Sequence, residues 1–159
     1  MNKLTLNNTC LQGVFDLQEY PNIQIFECAR NKLIEISNIP ENLETLNCSL
    51  NLISNLSNLN PNLKTLNCAG NKLVQLSNLP TSLIELDCSY NQLINLDYLP
   101  ESLEILYCEN NLISYLDNLP LGLVELNCES NQIISLNNLP KKLKSFEYSY
   151  NPGLRKIHR

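Results

Sequence analysis

The segment LIELDCSYNQL, residues 83–93, contains groups that an active site could use. Cys88 is a potential nucleophile, and Glu85 and Asp87 are potential acid–base groups beside it. The segments twenty residues to either side, LKTLNCAGNKL and LEILYCENNLI, carry a cysteine at the same place. An enzyme needs one nucleophile per site, so this repetition indicates a structural role for the cysteine rather than catalysis.

A twenty-residue repeat extends over residues 21–151 without insertion. The unit reads LxxLxCxxNxLxxLxxLPxx, with Tyr148 at the cysteine position of the last repeat. The other six repeats have cysteine there, at Cys28, Cys48, Cys68, Cys88, Cys108 and Cys128. Asparagine follows three residues later in all seven, at Asn31, Asn51, Asn71, Asn91, Asn111, Asn131 and Asn151. A fixed period of this length predicts a solenoid, in which each repeat forms one coil and packs only against its neighbours.

The segment LxxLxCxxN resembles the highly conserved part of leucine-rich repeats. The short repeat, with a proline after the last leucine, is similar to the subclass found in secreted bacterial effectors, and similar arrays occur in giant DNA viruses that infect amoebae. This resemblance covers about 130 of the 159 residues. It implies a leucine-rich repeat solenoid with a parallel β-sheet of about seven strands on its concave side. Because twenty residues leave little room for a return helix, we expect extended or 3₁₀ segments on the convex side and little α-helix.

The repeated polar residues have structural explanations. In LKTLNC, Leu66 and Cys68 point inward from a strand while Thr65 and Asn67 point outward. A thiol is a small apolar group that fits a narrow coil, and the asparagine amide can bond backbone groups of its own and the next coil. Disulfides between consecutive coils would strain the sheet, and a zinc site would need ligands that converge on one point. Cys10 lies outside the repeats and is predicted to be the most accessible thiol.

We expect a single domain with caps at both ends of the repeats. Residues 1–20 form the N-terminal cap, residues 21–151 the repeats, and residues 152–159 the C-terminal cap or tail. The cap residues predicted to close the first coil are Leu4, Leu6, Leu11, Val14, Phe15 and Leu17. The basic tail residues Arg155, Lys156 and Arg159 indicate a solvated terminus, with a charge contact to the last coil as the alternative. The initial methionine and the two caps favour a complete protein.

Composition restricts the partners and the compartment. The formal net charge is −5 and the isoelectric point is about 4.8, so no global positive field would attract nucleic acid or an anionic membrane. We find neither a signal sequence nor an apolar run of the roughly 18 residues that span a membrane. The odd number of cysteines favours reduced thiols. The expected location is the cytoplasm, or a host cytoplasm for an effector or viral protein.

The sequence lacks the groups that catalysis requires. His158 is the single histidine and lies near the end of the chain, and four glycines form no phosphate-binding loop. We therefore expect no enzymatic activity, no cofactor and no metal.

The outward positions of the later strands combine carboxylates with tyrosines. Such a face suits a basic protein segment, because tyrosine supplies contact area and carboxylates steer cations. The alternative is a solvated polar face with incidental tyrosines. The predicted partner-binding residues are Glu85, Asp87, Tyr90, Tyr107, Glu109, Glu125, Asn127, Glu129, Glu147 and Tyr150.

Three functions remain open from these observations. The first is a monomeric, non-enzymatic protein-interaction module. The second is a structural component that assembles through its convex face or its edges. The third, less favoured, is a thiol-redox or metal-binding protein.

Overall fold

The computed structural model describes residues 2–154. His158 and the basic tail residues Arg155, Lys156 and Arg159 lie outside the described residues. The chain forms ten short strands: β1 Lys3–Thr5, β2 Gln12–Asp16, β3 Ile25–Glu27, β4 Lys32–Ser37, β5 Thr45–Asn47, β6 Thr65–Asn67, β7 Glu85–Asp87, β8 Ile105–Tyr107, β9 Glu125–Asn127 and β10 Ser145–Glu147. No residue in the range 2–154 is helical.

Eight of these strands form one parallel sheet in the order β1-β3-β5-β6-β7-β8-β9-β10. From β3 onward each residue pairs with the residue twenty positions later, so Leu46 lies beside Leu66 and Leu66 beside Leu86. This register confirms the predicted solenoid. We number the coils 1 to 7 by their asparagines, from Asn31 in coil 1 to Asn151 in coil 7.

Alternation along each strand separates the core from the concave surface. In β6, Leu66 is buried while Thr65 and Asn67 are half-buried on the outer side of the sheet. The same alternation occurs in every strand from β3 to β9 that belongs to this sheet. Because the leucine and cysteine columns stack coil on coil, the buried residues form one continuous apolar core.

The return segments run without helix and turn back before each strand. In coil 2 the carbonyl of Pro40 accepts a hydrogen bond from Leu43 N at 3.1 Å, and the carbonyls of Pro80, Pro100, Pro120 and Pro140 accept equivalent bonds. Tyr20 and Asn60 take the place of this proline before the strands of coils 1 and 3, and the buried amide of Asn60 donates to the Leu43 carbonyl at 3.0 Å. Between residues 2 and 154 there is no helix long and apolar enough to cross a membrane.

The N-terminal segment adds an eighth strand to the seven predicted. Strand β1 pairs with β3 over an interval of 22 residues, and β2 pairs with β4 in a separate two-stranded sheet. Leu17 is fully buried, and Phe15 stacks on Phe26 with ring centroids 5.3 Å apart. Leu4, Leu6 and Leu11 also pack against the core. The prediction for Val14 is wrong: its side chain is 54% exposed, because the alternation of β2 turns it away from the core.

The C-terminal coil is less well covered. Leu143 and Phe146 are only partly buried, whereas the equivalent residues of coils 2–6 are buried. Tyr148, at the cysteine position, is 42% exposed and stacks on Phe146 with ring centroids 4.8 Å apart. The phenol ring is too large for the interior position that a thiol fills, so it lies over the end of the core.

Candidate functional site

The thiols of the repeats lie inside the coil. All six repeat cysteines are buried with no exposed surface, and all seven cysteines of the chain are free. Burial raises the pKa of the Cys28 and Cys128 thiols to about 12. Burial also raises the pKa of Cys88 well above its ordinary value, and the neighbouring Cys108 thiol and the Asp87 carboxylate add to the effect. A nucleophilic cysteine needs a lowered pKa and access to solvent, so Cys88 lacks both properties of a reactive thiol.

The asparagine side chains join neighbouring coils. Asn111 Nδ2 donates to the carbonyl of Cys88 in the preceding coil and to the carbonyl of Cys108 in its own coil, each at 3.1 Å. Its Oδ1 accepts from Leu93 N at 3.0 Å. These backbone groups lie where the strands end, and without the amide they would be buried and unpaired.

The residue before each of these asparagines has an unusual backbone conformation. Its φ is positive in every coil, between 52° and 65°. Gly70 takes this position in coil 3, but Tyr90 (φ 53°) and Tyr150 (φ 55°) take it in coils 4 and 7. Both tyrosines are well exposed, at 59% and 80%. The turn therefore projects them from the rim of the sheet.

The structure brings Tyr107 and Glu125 together on the concave face. Tyr107 donates its hydroxyl proton to Glu125 Oε2 at 2.8 Å, between β8 and β9. This hydrogen bond, with desolvation and the charges of Glu125, Glu85 and Asp87, raises the pKa of Tyr107 to about 12. The register places Glu85 and Glu125 on either side of Ile105. These groups form the centre of the predicted partner-binding face.

Two predicted partner-binding residues have local hydrogen bonds. Asp87 Oδ1 accepts from the backbone N and the hydroxyl of Ser89, at 3.1 and 2.6 Å. Asn127 Oδ1 accepts from Glu129 N at 3.1 Å. Both side chains thereby cap the end of their own strand, and the second oxygen of Asp87 accepts from Asn67 Nδ2 at 3.1 Å.

The predicted partner-binding carboxylates in the later coils form no ion pairs in the described part of the chain. In the early coils Glu27 pairs with Lys3 and Glu44 pairs with Lys64, each at 2.8 Å. Within residues 2–154 these are the only two ion pairs. None of the predicted partner-binding carboxylates is part of one: Glu85, Asp87, Glu109, Glu125, Glu129 and Glu147.

Two of these carboxylates, Glu109 and Glu129, act on the buried thiols. Glu109 Oε2 is buried and has no hydrogen-bond partner within residues 2–154. The charges of Glu109 and Glu129 help to raise the pKa of Cys108 and Cys128, respectively. Glu147 is instead exposed in coil 7. The described part of the chain contains no group of three or more histidine, cysteine or acidic side chains arranged to hold a metal ion.

The sequence did not single out the exposed tyrosines on the return segments. Tyr98 is 94% exposed and Tyr115 is 58% exposed, both away from the sheet. Tyr98 also has a positive φ of 60°, and at the same position of other coils Asn38, Asn78 and Asn138 have φ between 53° and 57°. The recurrence of asparagine at this position was the available signal for a left-handed turn.

The structure is similar to solved structures of leucine-rich repeat proteins. YopM from Yersinia enterocolitica WA-314 is 32% identical, with a TM-score of 0.83 over 86% of this chain and 30% of YopM. The leucine-rich effector protein YopM from Yersinia pestis is 28% identical, with a TM-score of 0.85 over 96% of this chain and 47% of that one. The leucine-rich repeat domain of a Shigella effector is 27% identical, with a TM-score of 0.75 over 89% of this chain and 63% of that domain.

The chain thus spans between 30% and 63% of the length of these three structures. Neither a protein-family model nor a curated protein sequence matches it.

Proposed function

Because this chain is a leucine-rich repeat protein with short, 20-residue repeats similar to those of bacterial effectors, we propose that it is a non-enzymatic protein-interaction module. Its concave sheet face binds a basic segment of a protein partner through the ten partner-binding residues named from the sequence. The observation that carries this proposal is the set of carboxylates in coils 4–7 that form no ion pair within residues 2–154.

Charge complementarity supports a cationic partner. Neighbouring carboxylates of coils 4–7 repel each other, and a lysine- or arginine-rich segment would reduce this repulsion on binding. Exposed charges of this kind act mainly on the association rate and on the selection of partners. We therefore expect binding that weakens as the salt concentration rises.

The two rim tyrosines support contact with a partner for a different reason. A left-handed backbone is unfavourable for a bulky residue, and glycine at the same position in coil 3 avoids this strain. Tyr90 and Tyr150 nevertheless occupy that conformation with most of their side chains exposed. Tyrosine offers a large contact area at a small entropy cost, which accounts for its enrichment in interfaces.

The free thiols favour a reducing compartment. Seven unpaired cysteines are characteristic of cytosolic proteins, since oxidising compartments favour disulfides. We place the activity in the cytoplasm, and in a host cytoplasm for an effector or a viral protein.

A lysine- and arginine-rich peptide tests the charge of the proposed partner. Its affinity is compared by fluorescence anisotropy with that of the same peptide carrying glutamine in place of each basic residue. We expect the basic peptide to bind at least about tenfold more tightly. Equal affinity for the two peptides would overturn the proposal.

Charge-matched variants locate the binding. Glu85→Gln with Glu147→Gln removes two carboxylates from the concave face, whereas Glu41→Gln with Glu101→Gln removes two from the exposed turns before the strands. We expect only the first pair to weaken the binding of the basic peptide, by roughly tenfold. Equal weakening by both pairs would indicate attraction by net charge alone and would remove the concave face as the site.

Tyr90→Gly separates contact from folding. The variant loses the aromatic side chain but relieves the left-handed strain, so its melting temperature should not fall. We expect the affinity for the basic peptide to fall by about tenfold. An unchanged affinity would exclude Tyr90 from the contact surface.

A further inference from the structure

A stripe of exposed aliphatic side chains runs along one flank of the solenoid. It lies just after the asparagine column and therefore beyond the ends of the concave strands. Each of coils 1–6 contributes one aliphatic residue, 38–54% exposed. The stripe residues are Ile34, Leu52, Val74, Ile94, Leu112 and Ile134. None of them belongs to the core or to the predicted partner-binding face.

Hydrogen bonds keep the flank in register from coil to coil. Leu52 N donates to the Leu33 carbonyl, and Lys72 N donates to the Ile53 carbonyl, both at 2.8 Å. Equivalent bonds follow in each later coil through Gln132. With coils about 4.8 Å apart, the six side chains form a stripe about 24 Å long. A contiguous exposed apolar patch of several hundred Å² on a protein is often functional.

The positions of the stripe residues within their coils follow the same order from coil 1 to coil 6 as from coil 6 to coil 1. Its members occupy two positions, either one or three residues after the asparagine. Leu52 and Leu112 occupy the first position, and the other four residues occupy the second. From coil 1 to coil 6 the order is second, first, second, second, first, second. A two-fold axis between coils 3 and 4 therefore superposes the pattern on itself.

Such an axis brings similar side chains face to face in two copies of the chain. Ile34 of one copy meets Ile134 of the other, Leu52 meets Leu112, and Val74 meets Ile94. A two-fold interface requires this kind of self-complementarity, because the same patch is used by both copies. Binding to a different protein would not require this symmetric order of positions.

The charges beside the stripe are compatible with the same axis. Coils 2 and 6 have no charged residue between the first and sixth positions after the asparagine. Coil 3 has Lys72 there, and coil 4, which faces it, has Asp97. The remaining charges, Asp117 of coil 5 and Lys32 and Glu35 of coil 1, face the uncharged coils 2 and 6. No pair of facing coils carries like charges.

We propose that the protein forms a two-fold symmetric homodimer through this stripe, with the two solenoids antiparallel. The dimer would replace the monomer expected from the sequence, and it does not depend on the function proposed for the concave face. At one end of the stripe, Val14 is 54% exposed and pairs with Glu35, the residue after Ile34. Under the two-fold axis this end would face the turn that contains Pro152 and Gly153. Each copy offers on the order of 500 Å², below the about 800 Å² of a standard interface. We therefore expect a dissociation constant in the micromolar range.

Sedimentation velocity over a wide concentration range tests the dimer. The mass of the unaltered chain should rise from one chain to two between low micromolar and near-millimolar concentration. Val74→Glu and Ile94→Lys each place a charge against an aliphatic residue at the centre of the interface. We expect each variant to raise the dissociation constant at least about tenfold, with the circular dichroism spectrum unchanged.

Mixing the two variants tests the register. In a mixed dimer, the glutamate introduced in one copy would face the lysine introduced in the other, and the native Val74 and Ile94 would face each other on the second side. An equimolar mixture of Val74→Glu and Ile94→Lys should therefore recover the dimer. A mixture of Val74→Glu and Ile34→Lys should not, because its new charges would still face isoleucines.

Ile84→Glu is the surface control. Ile84 is 41% exposed but precedes a strand, on the other side of the coil, so this variant should dimerise like the unaltered chain. Three results would overturn the proposal. They are a single-chain mass at every concentration, normal association of Val74→Glu, and equal recovery of the dimer in both mixtures.

Discussion

Polar residues in the inner lining of a coil are the same from repeat to repeat, whereas those on its sheet face vary. The inner lining is the set of cysteine and asparagine columns, and its residues recur from coil to coil. The sheet face is the set of outward strand positions, and its residues change from threonine and asparagine to glutamate and tyrosine along the solenoid. Inner residues touch two coils at once, so each coil requires the same residue. Outward residues can vary because their loss leaves the stacking intact.

Two asparagines in coil 2 show the difference. Asn51 Nδ2 donates to the carbonyls of Cys28 and Cys48, both at 3.0 Å, and thereby joins coils 1 and 2. Asn47 Oδ1 accepts only from Ser49, at 3.1 Å from its N and 2.8 Å from its hydroxyl. An asparagine side chain therefore joins two coils at position 51, whereas at position 47 it only caps its own strand.

Thiol labelling gives the largest expected contrast between the two regions. The six cysteines of the inner lining react only when the coil opens, whereas Cys10 is exposed. We expect Cys10 to react faster than the other six by a factor of about 10³ or more. Mass spectrometry of the labelled native protein measures the rates. As a control, Asn47→Cys should add one fast thiol beside the protected Cys48, and rapid labelling of several inner thiols would contradict the comparison.

Alkaline pH should destabilise the fold through the inner lining. Below the ordinary thiol pKa of 9.0, these thiols are protonated in both the folded and the unfolded chain, so stability does not depend on them. Above it, the unfolded chain loses protons that the folded chain keeps, until Cys28 and Cys128 ionise near pH 12. Each buried thiol should lower the free energy of unfolding by about 1.4 kcal/mol per pH unit in this range.

Urea unfolding at several pH values measures this slope. Cys68→Ala should make the free energy of unfolding fall less steeply with pH, by the contribution of one thiol. The variant itself should be less stable than the unaltered chain at neutral pH. A free energy of unfolding that stays constant as the pH rises above the ordinary thiol pKa of 9.0 would show that the thiols are not shielded as the structure indicates.

The asparagine pair in coil 2 tests the comparison with the same substitution at two places. Asn51→Ala leaves the carbonyls of Cys28 and Cys48 and the amide of Leu33 without this partner, so we expect a loss of about 3 kcal/mol. Asn47→Ala removes one local cap and should lose about 1 kcal/mol or less. Thermal or urea unfolding of both variants measures the difference. Equal losses would mean that the bonds between coils have no special importance.

The smallest effect concerns the sheet face alone. Glu125→Gln removes the carboxylate that holds the Tyr107 hydroxyl proton, so the pKa of Tyr107 should fall from about 12 toward 10. Tyrosinate absorbance measures this titration, and subtraction of the Tyr107→Phe curve isolates it from the other six tyrosines. The stability at neutral pH should change little, since both groups lie on the outer side of the sheet. A large loss of stability would assign this pair to the framework of the fold.

Most of the fold was predictable because the same pattern of apolar, cysteine and asparagine positions occurs in seven repeats. The twenty-residue period predicted the solenoid, the strand positions and the parallel sheet, which the structure confirms. Predictions were weaker at the ends, where no repeat supports them. Val14 was expected to help close the first coil and is exposed, and Tyr148 takes the column position of a cysteine without its burial.

Only part of the arrangement on the candidate site followed from the sequence. The outward positions of β7 to β10 were predictable from the alternation in a strand. The bond between Tyr107 and Glu125 was not, because it depends on the side-chain conformations of two neighbouring coils. The local bonds of Asp87 and Asn127 also follow from the turn after the strand rather than from the repeat pattern.

The sequence by itself determined which residues line each coil, because a residue every twenty positions must meet its copy when the coils stack. The stacked structure decided which outward groups are paired, which are left exposed, and that one aliphatic residue per coil forms a stripe. These features depend on side chains that are far apart in the sequence and become neighbours only when the coils stack. They therefore cannot be predicted from any single repeat.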